Sequence, residues 1–378
     1  MKVIHRRILL LITAAVSVLL LSGCWDQRKL DELGFPFLLG YDYAREEEKE
    51  YPDDKYLVSV GAPSLYEEAE SKYHVERTPG SMVTETRSRR DAHFGEQYIL
   101  GQEQVAIFGN EIAEKENLNI LMDSIRRNDK VKDSLYMAVA EGRAVDLIEM
   151  RVKHYPNTGI YIRMLLKNIR KSNFLPVCTL FTFRRDVFSN NTAPMLPCIV
   201  QKGEDIVLAG SCFVNDGKKT ENIGWMESQT AVFLRGIKAR GEISYDVIED
   251  EKVIDRLTFS GGNRRKVKIK KEGDKYIVNI QIILSGVIVE KTKTQPLKEL
   301  PETLKLSQKS LEDLIKKRSQ ELVKKVQEEY GFDALNIAKD LKAHSREKFE
   351  KEDIDSIIRD AEINVDVKVN IENTGGWV

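Results

Sequence analysis

Cys24 stands directly after Leu21-Ser22-Gly23, and in that tetrad residue types and spacing spell out a covalent reaction. Small Ser22 and Gly23 leave the backbone extended and uncrowded before the sulfur. A diacylglycerol can then be joined to the thiol through a thioether and the Gly23–Cys24 peptide bond cleaved. Upstream, Lys2, Arg6 and Arg7 form a positive head, and Ile8 to Leu21 is apolar except at Thr13 and Ser17. Crossing a hydrocarbon core of about 30 Å needs ~20 helical residues. The run is therefore read as the h-region of a secretory leader, not as a span. We expect residues 1–23 to be removed and Cys24 to become the lipid-bearing first residue of an exported chain. Two acyl chains suffice for stable anchoring, at ~0.8 kcal/mol per buried CH₂, where one is marginal.

Other reactive groups are sparse. Cys178, Cys198 and Cys212 lie in apolar, strand-like settings. They read as buried free thiols, or as one Cys198–Cys212 bridge across a hairpin turned by Gly203-Glu204-Asp205. No CxxC or Cys/His spacing suggests zinc, so no metal site is expected. His5, His74, His93, His154 and His344 form no pair at helix spacing. There is no GxSxG elbow, Walker A loop or HExxH, and carboxylate pairs such as Glu328 and Glu329 read as solvated surface. No enzyme activity and no cofactor are expected. Two basic stretches remain. Arg87, Arg89 and Arg90 lie in the first region. Arg264, Arg265, Lys266, Lys268, Lys270 and Lys271 form a strand-like face that reads as solvated lysines discouraging edge pairing, or as a contact with anionic headgroups at ~1 kcal/mol per basic residue.

The 59 Lys+Arg against 60 Asp+Glu exclude the basic excess that nucleic acid demands. With 31% charged and 8% aromatic residues the mature part is an ordinary globular chain, too long for one core. Strands are expected at Phe35 to Tyr41 and Lys55 to Val60 as a hairpin, then a mobile loop from Ser64 to Gly80, marked by Pro79-Gly80. A strand-then-helix rhythm follows: strands at 104–108, 134–140 and 177–183, and helices carrying Ile112 to Ile125, Ala144 to Val152, and Ile160 to Ile169. Gly261-Gly262-Asn263 reads as a separator. Beyond it, Lys275 to Glu290 and Ile363 to Ile371 alternate strictly, with a helix from about Ser307 to Gly331 and another from Asp333 to Phe349 between them. The last strand is expected to be a central part of the third domain and not a dispensable tail, in an antiparallel sheet with these helices on one face. The fold class expected is α+β in three domains, residues 24–190, 191–260 and 261–378, each a mostly antiparallel or mixed sheet with helices on it.

Cys24-Trp25-Asp26 with the following strand, Glu103-Gln104-Val105-Ala106-Ile107-Phe108-Gly109, and Asp123 to Asp129 resemble the Ger(x)C lipoproteins of spore germinant receptors. So do Ala138 to Ala144 and Val367 to Gly375, in the same order along the chain. Phe35 to Tyr41 is bulkier than the family's usual Ile/Val strand with extra Gly. The resemblance implies a palmitate-type lipoprotein on the outer face of the spore inner membrane. It further implies a non-enzymatic C subunit that assembles with integral membrane A and B subunits and signals germination, the nutrient pocket lying in a partner. The rival reading is a substrate-binding lipoprotein of a solute transporter, which requires two similar lobes of mainly parallel sheet.

Overall fold

The computed structural model describes residues 4–7, 33–65, 71–95, 97–127, 130–190, 192–292, 301–344 and 349–373. The tetrad ending at Cys24 and the apolar run before it lie outside these. The first part of the chain carries β1 (Leu33–Gly34), β2 (Leu38–Tyr43), β3 (Tyr56–Pro63), β4 (Tyr73–Gly80), α1 (Val83–His93), β5 (Gln97–Tyr98) and β6 (Val105–Phe108). Next come α2 (Asn110–Lys115), α3 (Leu118–Arg126), β7 (Tyr136–Ala140), α4 (Ala144–Glu149), α5 (Thr158–Ser172), β8 (Cys178–Thr179) and α6 (Leu180–Arg184), the last continuing as a wide-turn helix over Arg185–Asn190. The hairpin β9 (Met195–Lys202) and β10 (Asp205–Asn215), then β11 (Lys218–Ile223), complete one sheet in the order β11-β10-β9-β7-β6-β2-β3-β4, with β8 beside β7.

The centre of that sheet is parallel and its flanks antiparallel. β2–β6, β6–β7 and β7–β9 run parallel, and β2–β3, β3–β4, β9–β10 and β10–β11 antiparallel. Parallel strands are joined by helical crossovers that cover both faces, so they read as continuous apolar runs. β6 accordingly is wholly buried: Val105 and Ile107 face the core made with α4 and α5, and Ala106 and Phe108 the core made with α2, α3 and α6.

The second sheet follows α7 (Trp225–Arg235). It comprises β12 (Arg240–Glu249), β13 (Lys252–Glu272), β14 (Lys275–Lys291) and, after α8 (Pro301–Lys325), α9 (Ala338–His344) and α10 (Lys351–Asp360), β15 (Glu362–Asn373), in the order β12-β13-β14-β15. Its helix-covered face holds Ile280, Ile282, Leu284, Val365, Val367 and Val369 against Leu311, Ile315 and Leu322 of α8. Mixed sheets with helices laid on them give the α+β class expected, whereas two dissimilar sheets are not the matched lobes of a solute-binding protein.

Several expectations change. Residues 191–260 divide between the two sheets, β9 to β11 in one and β12 with the start of β13 in the other. Gly261 and Gly262 lie inside β13, because a Cβ on Gly261 would stand 2.4 Å from Ser285 O and 2.5 Å from Phe259 Cζ. The absent side chain lets the Phe259 ring pack. Tyr73–Gly80 is an edge strand, where Pro79 breaks no ladder the sheet requires. The strand expected over 177–183 stops after Thr179, whose hydroxyl accepts from Thr182 N at 3.3 Å and starts α6. One helix expected over 110–125 is two, restarted by Asn117 Oδ1 accepting from Asn119 N. The helix expected over 333–349 is present only as Ala338–His344, and residues 345–348 are outside the described ones; α10 was not expected. β15 sits at the sheet edge and runs parallel to β14, since three helices bring the chain back to its starting end.

Candidate functional site

The sequence of α1, Val83-Thr86-Arg87-Arg90 on its inner side, has no apolar stripe, yet the helix lies over the apolar face of the first sheet. Pairs of arginines at i, i+3 share a helix face. Beneath α1 is a cavity of about 170 Å³, walled by Leu39, Val58 and Ile125 and bearing Tyr41, Arg90 and Glu103. Arg90 and Glu103 are only 6% and 3% exposed. Arg90 Nε has no hydrogen-bond partner, and its guanidinium lies over the Tyr98 ring, 5.7 Å from the centroid. Glu103 Oε2 accepts from Gly101 N at 2.7 Å, while Oε1 has none. Burial lowers the Arg90 pKa and raises that of Glu103. Arg89, by contrast, is structural: it pairs with Asp54 at 2.7 Å and with Glu85 on its own helix.

A second feature lies on the surface. α3 turns Leu118, Leu121, Met122 and Ile125 inward, but Ile120, off that stripe, is 70% exposed. With Phe188, 60% exposed, it flanks a groove of about 270 Å³ floored by Met122, Leu180 and Phe183. Phe181 on α6 is also largely exposed. Large apolar side chains grouped at one place on a surface mark an interaction site.

The residues singled out from the sequence are scattered. Cys24 and Gly23 are outside the described residues. Cys178, Cys198 and Cys212 are buried in the core beneath α3 and α6, and all three are free. In the hairpin Cys198 stands opposite Gly210 and Cys212 opposite Leu196, a diagonal placement without a bridge, and Cys198 Sγ donates to Asn222 Oδ1 at 3.4 Å. Of the second basic stretch, Arg265 is inside, paired with Asp340 at 2.8 Å, so it does not belong to a lipid-facing set. Arg264, Lys266, Lys268, Lys270 and Lys271 are exposed. Among the described residues no three His, Cys, Asp or Glu side chains are grouped to hold a metal. The sequence names Glu103 only as the head of the family-like segment Glu103 to Gly109, and Ile120 not at all. Arginines in place of an apolar stripe, and an Ile beside one, were the available signals.

Comparison with known proteins gives the setting. The family model of the spore germination protein N-terminal domain matches residues 26–201, and that of the spore germination B3/GerAC-like C-terminal domain residues 209–375. The spore germination protein GerQC of Bacillus cereus is 24% identical over 317 residues, 81% of this chain and 82% of that protein. The spore germination protein YndF of Bacillus subtilis (strain 168) is 19% identical, aligned over 98% of each. The crystal structure of the GerBC protein has the same fold, with a TM-score of 0.53 at 16% identity over 92% of this chain and 100% of that one. Since the two family models between them cover most of the chain, residues 26–201 and 209–375, the chain belongs to the GerAC-like family of spore germination proteins.

Proposed function

We propose that the chain is the C subunit of a spore nutrient germinant receptor, anchored through a lipid on Cys24 to the outer face of the spore inner membrane. It acts without catalysing a reaction, by assembling with the integral membrane A and B subunits and passing on the germination signal. The observation that carries this reading is the groove between Ile120 and Phe188, an apolar surface of the kind that subunits use to dock. The leader and tetrad at residues 1–24 support the anchor, and no helix among the described residues is long and apolar enough to cross a membrane.

The test is co-isolation of the A and B subunits with this chain from spore membranes. Wild type is expected to retain both and to carry diacylglycerol on Cys24 by mass spectrometry. Cys24→Ala is expected to leave an unprocessed precursor without lipid. Ile120→Asp with Phe188→Asp is expected to keep the lipid and lose the partners. An unlipidated wild-type Cys24 sinks the anchor, and full co-isolation of the groove variant sinks the docking role.

A further inference from the structure

We propose that the free edge of β13 past Gly262 takes up an extended segment of another protein as an added strand, one in which acidic and aliphatic residues alternate. This goes beyond the receptor reading and rests neither on Cys24 nor on the groove at Ile120.

β13 outruns its neighbour. β12 pairs with it only from Lys252 to Gly262, whereas β14 accompanies it to Glu272. Asn263 N donates to Ala239 O at 3.4 Å, so the backbone of that residue points to the β12 side, and by the period of two so do those of Arg265, Val267, Ile269 and Lys271. Past Asn263 no strand is there to receive them. Among the described residues, the backbone groups of Val267 and Ile269 on that side have no hydrogen bond. A row of unused N–H and C=O groups is a template for another strand. The edge is also open: a trough of about 630 Å³ is lined by Val267 to Glu272 and by His344 at the end of α9, against 270 Å³ for the groove at Ile120.

The two faces of the edge set the chemistry of the occupant. Arg264, Lys266, Lys268 and Lys270 are exposed on the face without helices and make no ion pair among the described residues. Opposite them on β14 stand Ile283, Gln281, Asn279 and Ile277, none of them charged. Val267 and Ile269 point the other way and pack on the core, Ile269 at 5% exposure. A strand laid alongside sets every second side chain beside the basic row and the others beside aliphatic ones. Opposite charges across a strand pair stabilise it and like charges destabilise it, so the row selects an acidic segment and rejects the same edge of a second copy. A layer of anionic headgroups would meet the lysines but use neither the backbone edge nor the trough. A strand uses all three.

The experiment is isothermal titration of the purified full-length chain with three end-blocked synthetic peptides: EVEIEVE, the same composition without alternation as EEVIVEE, and the charge-reversed KVKIKVK. EVEIEVE is expected to bind about tenfold more tightly than EEVIVEE, and KVKIKVK not to bind. Val267→Pro removes one outward N–H and leaves the ladder to β14 intact, so it should weaken EVEIEVE about tenfold. Lys266→Glu with Lys268→Glu should lose EVEIEVE and gain KVKIKVK, a gain that a misfolded chain cannot show. Should Val267→Pro fail to fold by circular dichroism, EVEIEVE N-methylated at its central residues tests the same hydrogen bonds from the other strand. No binding of EVEIEVE, equal binding of EEVIVEE, or binding unmoved by the charge reversal or by loss of the backbone donors overturns the proposal. Vesicles of phosphatidylglycerol and phosphatidylcholine are titrated alongside. Vesicle binding that the two glutamates abolish, with EVEIEVE unbound, assigns the row to lipid and overturns the added strand. Only this chain is titrated, so co-isolation of the A and B subunits remains a separate test of the receptor reading.

Discussion

Asp42, at 3% exposure, accepts from the backbone N–H groups of Ala144 at 2.8 Å and Val145 at 2.9 Å, and so caps the start of α4. Gly109 packs against it: a Cβ there would lie 2.1 Å from Asp42 Oδ1. Burial pushes the carboxyl pKa from an ordinary 3.8 up to about 6, outweighing the two backbone hydrogen bonds that lower it. Between those values the folded chain holds a proton that the unfolded chain has released, so stability from this group is present below about 4 and declines as pH rises to about 6. The decline is up to roughly 3 kcal/mol. Denaturant unfolding of wild type and Asp42→Asn at pH 4 to 7 checks it: the stability of wild type relative to Asp42→Asn should fall with rising pH, and a flat difference refutes the assignment. None of this was legible beforehand, because capping joins residues about a hundred positions apart. The free thiols were legible as buried, since apolar neighbours such as Ile199 and Phe213 report burial directly; their diagonal register was not.

Periodicity proved a good guide to faces and a poor one to neighbours. In β15 the alternation over Ile363 to Ile371 does place Val365, Val367 and Val369 in the core, with Ile363 and Ile371 half-buried. A period of two cannot say which strand lies alongside, and the edge position and the parallel pairing to β14 came only with the structure. Glycine and proline misled for a related reason. They mark turns on average, but Gly261 makes room for the Phe259 ring inside β13, Gly262 continues that strand, and Pro79 sits on an edge. Edge placement does not make β15 dispensable, because its inner face is covered by α8, and Glu312 of that helix accepts from Val369 N at 2.9 Å. Val367→Asp would bury an unpaired carboxylate and should cost about 3 kcal/mol or more. A thermal midpoint within a degree of wild type would show the strand to be peripheral.

The two sheets are joined by a polar seam that no local pattern announces. Thr192 Oγ1 and Ala193 N both donate to Asp333 O, at 2.7 and 3.1 Å, while the Asp333 side chain caps the turn into α9 by accepting from Ile337 N and Ala338 N. Beside it Arg235, the last residue of α7, reaches Asp186 at 3.1 Å in the first half and Ala334 O at 2.7 Å in the second. Both charges are almost fully buried. Removing one member of such a pair strands the other, a loss typically of 3 to 5 kcal/mol. Arg185 also holds Asp186, at 2.7 Å, so Arg235→Met should fall near the lower end, about 3 kcal/mol. Replacing both charges, Arg235→Met with Asp186→Leu, should recover most of it, since a buried pair exchanged for apolar groups is often neutral. If the seam couples the halves, wild type unfolds in one denaturant transition and Arg235→Met in two, the halves melting separately. A single unshifted transition in Arg235→Met would mean that the apolar contacts of Phe213 with Phe332 and Tyr330 hold the halves together unaided.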